Sequence, residues 1–167
     1  TFIELGDLAT VQSELQKGDV CAVIIEFIQG VGGLDESTTE FYEGLDALCK
    51  EYGAFVIADE VQSGYGRTGD FFGFQKYNVS PDVISVAKGM GNGFPLGGIL
   101  LHQNIEAKHG MLGTTFGGNH LACAAGLAVL EVLKEESLLE NAKHTGALLA
   151  EELKTIPQVK KIKGRGL

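Results

Sequence analysis

The stretch AFVIADEVQSGYGRTG, residues 54–69, decides how the chain is read. AFVIAD is short, apolar and rich in β-branched residues, so it predicts a buried strand, and the glycines that follow end it. Two adjacent carboxylates, Asp59 and Glu60, stand where the strand runs out. Neighbouring strand residues point to opposite faces, so the two cannot share one task. An unpaired buried carboxylate is costly, and at least one of them is expected to have a positive partner. The local sequence supplies none.

Upstream, VCAVIIE (residues 20–26) is another continuous apolar run and predicts a second buried strand. Between the two, Ser37-Thr-Thr-Glu40 reads as a capping box, Phe41, Leu45 and Leu48 recur at helical spacing, and Gly53 stands at the helix end. Strand, helix and strand in this order form a βαβ unit, hence a parallel sheet. Before it, Asp7 is placed to cap a short helix that faces Leu8, Val11 and Leu15 inward and stops at Gly18.

Downstream, VISVA (83–87) and GGILLH (97–102) read as two more strands. NHLACAAGLAVLEVLKEE, from Asn119, is apolar on nearly all sides and predicts a largely buried helix. Ser137-Leu-Leu-Glu140 reads as a second capping box, opening an amphipathic helix that ends near Pro157, and VKKIKGRGL then looks strand-like and basic. Composition shifts near residue 135, which divides the chain into 1–135 and 136–167.

Bulk properties narrow the function classes. A chain of 167 residues can bury one core, or one domain plus part of another. A net charge of −9 argues against nucleic acid or an anionic membrane as the main partner, and no apolar run approaches a membrane span. Cys21, Cys49 and Cys123 lie in apolar segments and read as reduced core thiols of a cytoplasmic protein, at spacings that exclude a recognisable metal site. The chain starts at Thr1 and stops on GRGL, so it reads as a piece of a longer protein.

Lys88 ends the apolar run VISVA much as Asp59 ends AFVIAD. A half-desolvated lysine there favours its neutral form and is a usable amine nucleophile. The carboxyl ends of neighbouring parallel strands face one crevice, so Asp59 and Lys88 are expected to meet, either as a reactive pair or as a structural ion pair at the sheet rim. Other motifs fit less well. GYGRTG is literally G-x-G-x-x-G, but EVQS separates it from its strand, unlike a dinucleotide-binding turn. In KGMGNG the lysine precedes the glycines, so it is not a P-loop. Ser85-x-x-Lys88 lacks the companion motifs of an acyl-enzyme.

Three segments together, VIADEVQSGYGRTG, SVAKGMGNGFPLGG and GTTFGGNHLACAAG, resemble the class III aminotransferases, and within them the acetylornithine-type enzymes. The resemblance implies an α/β fold: part of the large domain of a fold-type I transferase, a mostly parallel sheet flanked by helices, over 1–135. The start of a small α+β C-terminal domain follows over 136–167. It implies pyridoxal phosphate as cofactor, a homodimer, and transfer of an amino group between N-acetylornithine (or another N-acylornithine or ω-amine) and 2-oxoglutarate, in arginine biosynthesis. Ornithine aminotransferases and glutamate-1-semialdehyde-type aminomutases share the scaffold, and a catalytically silent packing domain is the non-enzyme alternative.

By the same resemblance, Lys88 matches the lysine that forms a Schiff base with the cofactor and then moves the proton. Asp59 matches the acid that pairs with the pyridinium nitrogen, Val61 the residue packed on the ring, and Gln62 the one that bonds the phenolic oxygen. Thr115 matches a threonine that reaches the partner subunit's cofactor phosphate. Glu26 matches a glutamate near the substrate pocket, in EFIQGVGG, where Phe27 and Val31 replace a proline and a glutamate of the family pattern and leave the amino donor open. Glu60 has no cofactor role in this reading and is expected to make structural hydrogen bonds. The family's phosphate loop and substrate-binding arginine have no counterpart in these residues, so residues 1–167 alone are expected to be inactive.

Overall fold

Asp7 opens the first helix as its position suggests: its carboxylate accepts from Thr10 N at 3.0 Å, and α1 (Leu8–Leu15) buries Val11 and Leu15. The structure, a computed structural model, describes all residues Thr1–Leu167. After β1 (Ala22–Ile25), the helix α2 (Thr39–Tyr52) begins one residue later than the proposed capping box, because Thr38 and not Ser37 caps it, accepting from Phe41 N at 3.3 Å. Gly53 ends α2 in the left-handed region (φ 72°), a conformation that favours a residue without a Cβ. The chain then enters β2 (Phe55–Asp59), and later β3 (Val83–Val86) and β4 (Gly98–Leu101).

The four strands form one sheet in the order β1-β2-β3-β4. The pairs β1–β2 and β2–β3 are parallel and β3–β4 is antiparallel. This is the mostly parallel sheet that the βαβ pattern requires. Helices α1 and α2 cover one of its faces, with Val11, Leu15, Phe41, Leu45, Cys49, Val56 and Ala58 in the core between them. Burial pushes the Cys49 thiol up to about 11, so it behaves as a packing group.

The expectation that β1 and β2 are buried on both faces is corrected. Ile24 is 65% exposed and Phe55 45% exposed, because the crossover lays α2 on one face and little in this chain covers the other. The same correction applies to α3 (His120–Glu135), of which only Ala122 and Gly126 are buried while Leu121 is 73% exposed. Its apolar surface exceeds what the neighbouring elements cover. Cys21 and Cys123 are exposed as well, so only Cys49 is a core thiol.

Ser137 precedes α4 (Leu138–Lys154) but makes no side-chain cap: its backbone is left-handed (φ 52°), where a capping residue is typically extended. The strand-like C-terminal segment joins no ladder. Instead it runs back over the loops that follow β2, where Leu167 N donates to Arg67 O at 3.0 Å. Arg165 fastens it, donating to Glu36 Oε1 at 3.2 Å, Asp70 Oδ2 at 3.0 Å and Gly73 O at 2.5 Å. Lys76 and the Tyr77 hydroxyl also donate to Glu36.

An aromatic group anchors β1 to α2. Phe27, Tyr42 and Tyr77 meet with ring centroids 4.4–5.7 Å apart, and the fully buried Tyr42 donates its hydroxyl to Phe27 O and accepts from Ser37 N, both at 2.9 Å. Tyr42→Phe removes both bonds and leaves two backbone groups unmatched. In the intact protein it is expected to cost about 1–3 kcal/mol, read as a lower urea midpoint at unchanged slope.

Partial burial pushes Glu36 up, but the Tyr77 hydroxyl and the Lys76 and Arg165 cations together outweigh it, and the group lies below its ordinary value. A carboxylate depressed in the folded state contributes stability above the ordinary carboxylate range and loses it as pH falls through the lowered value. Urea midpoints measured across that acid range should therefore fall more steeply in the wild type than in Glu36→Gln.

Candidate active site

Parallel pairing brings the carboxyl ends of β1, β2 and β3 to one edge of the sheet. Glu26 directly follows β1, Asp59 is the last residue of β2, and Lys88 lies two residues beyond β3. The register puts Asp59 level with Ser85. Asp59 Oδ1 accepts from Ser85 Oγ at 3.1 Å and from Val61 N at 3.0 Å. Both bonds fall on the one oxygen, and Oδ2 accepts none.

Lys88 begins a tight 3-10 turn, Lys88–Met90, with a left-handed backbone (φ 43°), strained for a residue bearing a side chain. Its Nζ donates to Gln62 Oε1 at 2.5 Å. Gln62 in turn lies flush against Gly30: a Cβ added there would stand 2.9 Å from Gln62 Cγ and 3.4 Å from Glu26 Oε2. Glu26 Oε2 accepts from Gly30 N at 2.9 Å. Lys88, Gln62, Gly30 and Glu26 thus form a continuous line along the sheet edge. Glu26 and Asp59 also share a mostly apolar cavity of about 480 Å³ beside β1.

The expected meeting of Asp59 and Lys88 is modified. They occupy the ends of adjacent strands but form no ion pair within 4.0 Å, and Lys88 is exposed where half-desolvation was expected. The turn after β3 carries its amine to the amide of Gln62 instead. Nor does either carboxylate of the opening stretch rely on a cation in direct contact. Glu60, fully buried on the other face, accepts from Ser63 Oγ at 2.7 Å, Gly73 N at 2.8 Å and Phe74 N at 2.9 Å. Burial pushes its carboxyl above the ordinary value while these three donors pull it back. The structural role expected for Glu60 agrees with these bonds.

Thr115 lies in the exposed segment between β4 and α3 and bonds to none of these side chains. Phe27, which departs from the family pattern, is 1% exposed in the aromatic core, while Val31 is fully exposed. The glycines of GYGRTG form turns and open no helix, consistent with setting the dinucleotide reading aside. Residue order assigns Ser85 no role beside Asp59, and Gly30 none beside Gln62. Ser85 is identified only by its register against Asp59, and Gly30 only by its contact with Gln62. Sheet alignment, not local sequence, carries that signal.

Comparison with known proteins places this arrangement. The model of the aminotransferase class III family matches residues 4–167. The chain is 41% identical to an acetylornithine aminotransferase of Caldanaerobacter subterraneus subsp. tengcongensis, covering 99% of this chain and 43% of the relative. It is 40% identical to that of Bacillus subtilis, over 99% and 44%. Among solved structures it superposes on the ornithine δ-aminotransferase of Plasmodium falciparum with a TM-score of 0.91 and 38% identity, covering 99% of this chain and 45% of that one. The chain therefore spans less than half the length of these relatives, and its fold is the α/β fold of fold-type I transferases. With nearly every residue matched by one family and superposed on the solved structures of such enzymes, the chain belongs to the class III aminotransferases.

Proposed function

We propose that the intact protein is a pyridoxal-phosphate-dependent aminotransferase that moves an amino group between N-acetylornithine, or a related N-acylornithine, and 2-oxoglutarate. Residues 1–135 would be the central part of its large domain, and 136–167 the start of its small C-terminal domain. The observation that carries this reading is the placement of an amine, Lys88, and a carboxylate, Asp59, at the carboxyl ends of adjacent parallel strands. The names of the relatives favour N-acetylornithine as donor. Ornithine itself is the second reading, favoured by the ornithine aminotransferases among the solved neighbours.

The residues present suit the cofactor chemically. The Lys88 amine is held only by a neutral amide, so it is free of a competing carboxylate. Asp59 keeps Oδ2 open while Oδ1 is fixed by Ser85 and Val61, a geometry able to accept a hydrogen bond from a protonated ring nitrogen. Pyridoxal phosphate, when bound, supplies an electron sink for the bond broken at the substrate Cα. Lys88 would attach it and carry the proton, and Asp59 would keep the ring nitrogen charged. Val61 would pack on the ring, and Gln62, now bonded to Lys88, would hold the phenolic oxygen. Glu26 would face the substrate, and Thr115 would serve the partner subunit's phosphate in a homodimer. With this substrate the setting would be arginine biosynthesis in the cytoplasm. No helix is long and apolar enough to cross a membrane.

In the intact protein, Lys88→Ala is expected to abolish turnover and the covalent cofactor label left by borohydride reduction. Retained turnover would refute the assignment. Asp59→Asn should keep bound cofactor but lose turnover by on the order of a hundredfold, about 3 kcal/mol, because an amide cannot hold a positive ring nitrogen. Steady-state rates with N-acetylornithine and with ornithine, each against 2-oxoglutarate, separate the two substrate readings.

A further inference from the structure

Glu60 sits in the chain between Asp59 and the pair Val61–Gln62, yet its side chain points away from all three. All of its polar atoms are engaged. Besides the three donors to its carboxylate, its N donates to Ser85 O at 3.0 Å and its O accepts from Gly64 N at 2.9 Å. The surrounding backbone is shaped to it. A Cβ at Gly64 would stand 2.7 Å from Glu60 O, and one at Gly73 would stand 3.0 Å from Ser63 Cβ and 3.4 Å from Glu60 Oε2. Gly73 O, on the same loop, takes the Arg165 guanidinium at 2.5 Å, and Arg165 is the charged group that faces this carboxylate.

We propose that Glu60 is a positioning residue for the aminotransferase reaction: its buried carboxylate locks the turn 60–64 and thereby the placement of Asp59 and Gln62. This inference rests on the function proposed above. Asp59 is oriented by two bonds, and one comes from Val61 N, which belongs to that turn. Gln62, which holds Lys88, sits at its crown. A shift of the turn therefore moves both. The carboxylate is needed because donors converge on both of its oxygens, Ser63 Oγ and Gly73 N on Oε2 and Phe74 N on Oε1. A glutamine offers one oxygen and turns an NH₂ group toward a donor.

The test uses the intact, cofactor-loaded protein as wild type, Glu60→Gln, Ser63→Ala and, as a control for lost stability alone, Tyr42→Phe. Measured are kcat and KM separately, and the pH midpoint of the visible absorption band of the lysine-bound cofactor. Glu60→Gln is expected to lower kcat about tenfold or more with KM within about threefold, as misplaced reacting groups do. It should also move the band's midpoint by about half a unit, since the charge beside the ring is displaced. Ser63→Ala should change both in the same direction by less, and Tyr42→Phe should change neither. Wild-type kcat and band titration in Glu60→Gln, or equal changes in Tyr42→Phe, would overturn the inference. If Glu60→Gln does not fold, Ser63→Ala against Tyr42→Phe decides by the same criteria. A wild type that shows no lysine-bound band defeats the functional reading itself. A normal band that the variants leave unchanged defeats only the role of Glu60.

Discussion

Parallel pairing of β2 with both β1 and β3 is the constraint on which the rest depends. Strands that run the same way end on the same edge, so three separate segments of chain deliver their first polar residues to one place. The ladder does not specify which residues those are. It specifies that whatever follows each apolar run will be neighbours: Glu26 after β1, Asp59 at the end of β2, Lys88 after β3. The antiparallel β4 runs the other way, so its start and not its end lies at this edge.

Beyond the ladder, short turns decide the geometry. The turn after β2 folds back on the carboxylate of Glu60, and the turn after β3 throws Lys88 outward to Gln62. The two carboxylates of one dipeptide are thus satisfied differently. Glu60 is enclosed by convergent N–H and O–H donors, whereas Asp59 is half-exposed and fixed through a single oxygen. Burial with full hydrogen bonding costs far less than burial alone, so Glu60 needs no lysine or arginine in contact, while half-exposed Asp59 keeps part of its solvation.

The chain also shows where its surfaces are unfinished. One face of the β1–β2 pair and most of α3 expose apolar side chains that solvent disfavours. The C-terminal segment is tied down by different means, through polar contacts of Arg165 with Glu36, Asp70 and Gly73 O. Phe27, a departure from the family pattern, is absorbed into the aromatic core with Tyr42 and Tyr77. Its substitution therefore acts on packing between β1 and α2 and not directly on the Glu26 side chain.

Much of this was legible in residue order. Strand and helix positions follow from apolar periodicity, the βαβ unit dictates parallel pairing, and Gly53 and Asp7 mark helix ends through backbone conformation and side-chain capping, all of which are local or nearest-neighbour effects. Asp59 and Lys88 stood out because polar residues ending apolar strands have one probable address in a parallel sheet. The exposure of Lys88, its bond to Gln62, the support of Asp59 by Ser85, and the open faces of β1 and α3 were not legible. Each depends on which groups from distant parts of the chain arrive within about 3 Å, the range over which a hydrogen bond forms. Periodicity states which side of an element is apolar. Whether anything covers that side, and which donor reaches a given oxygen, is decided only when the strands are in register and the turns have closed.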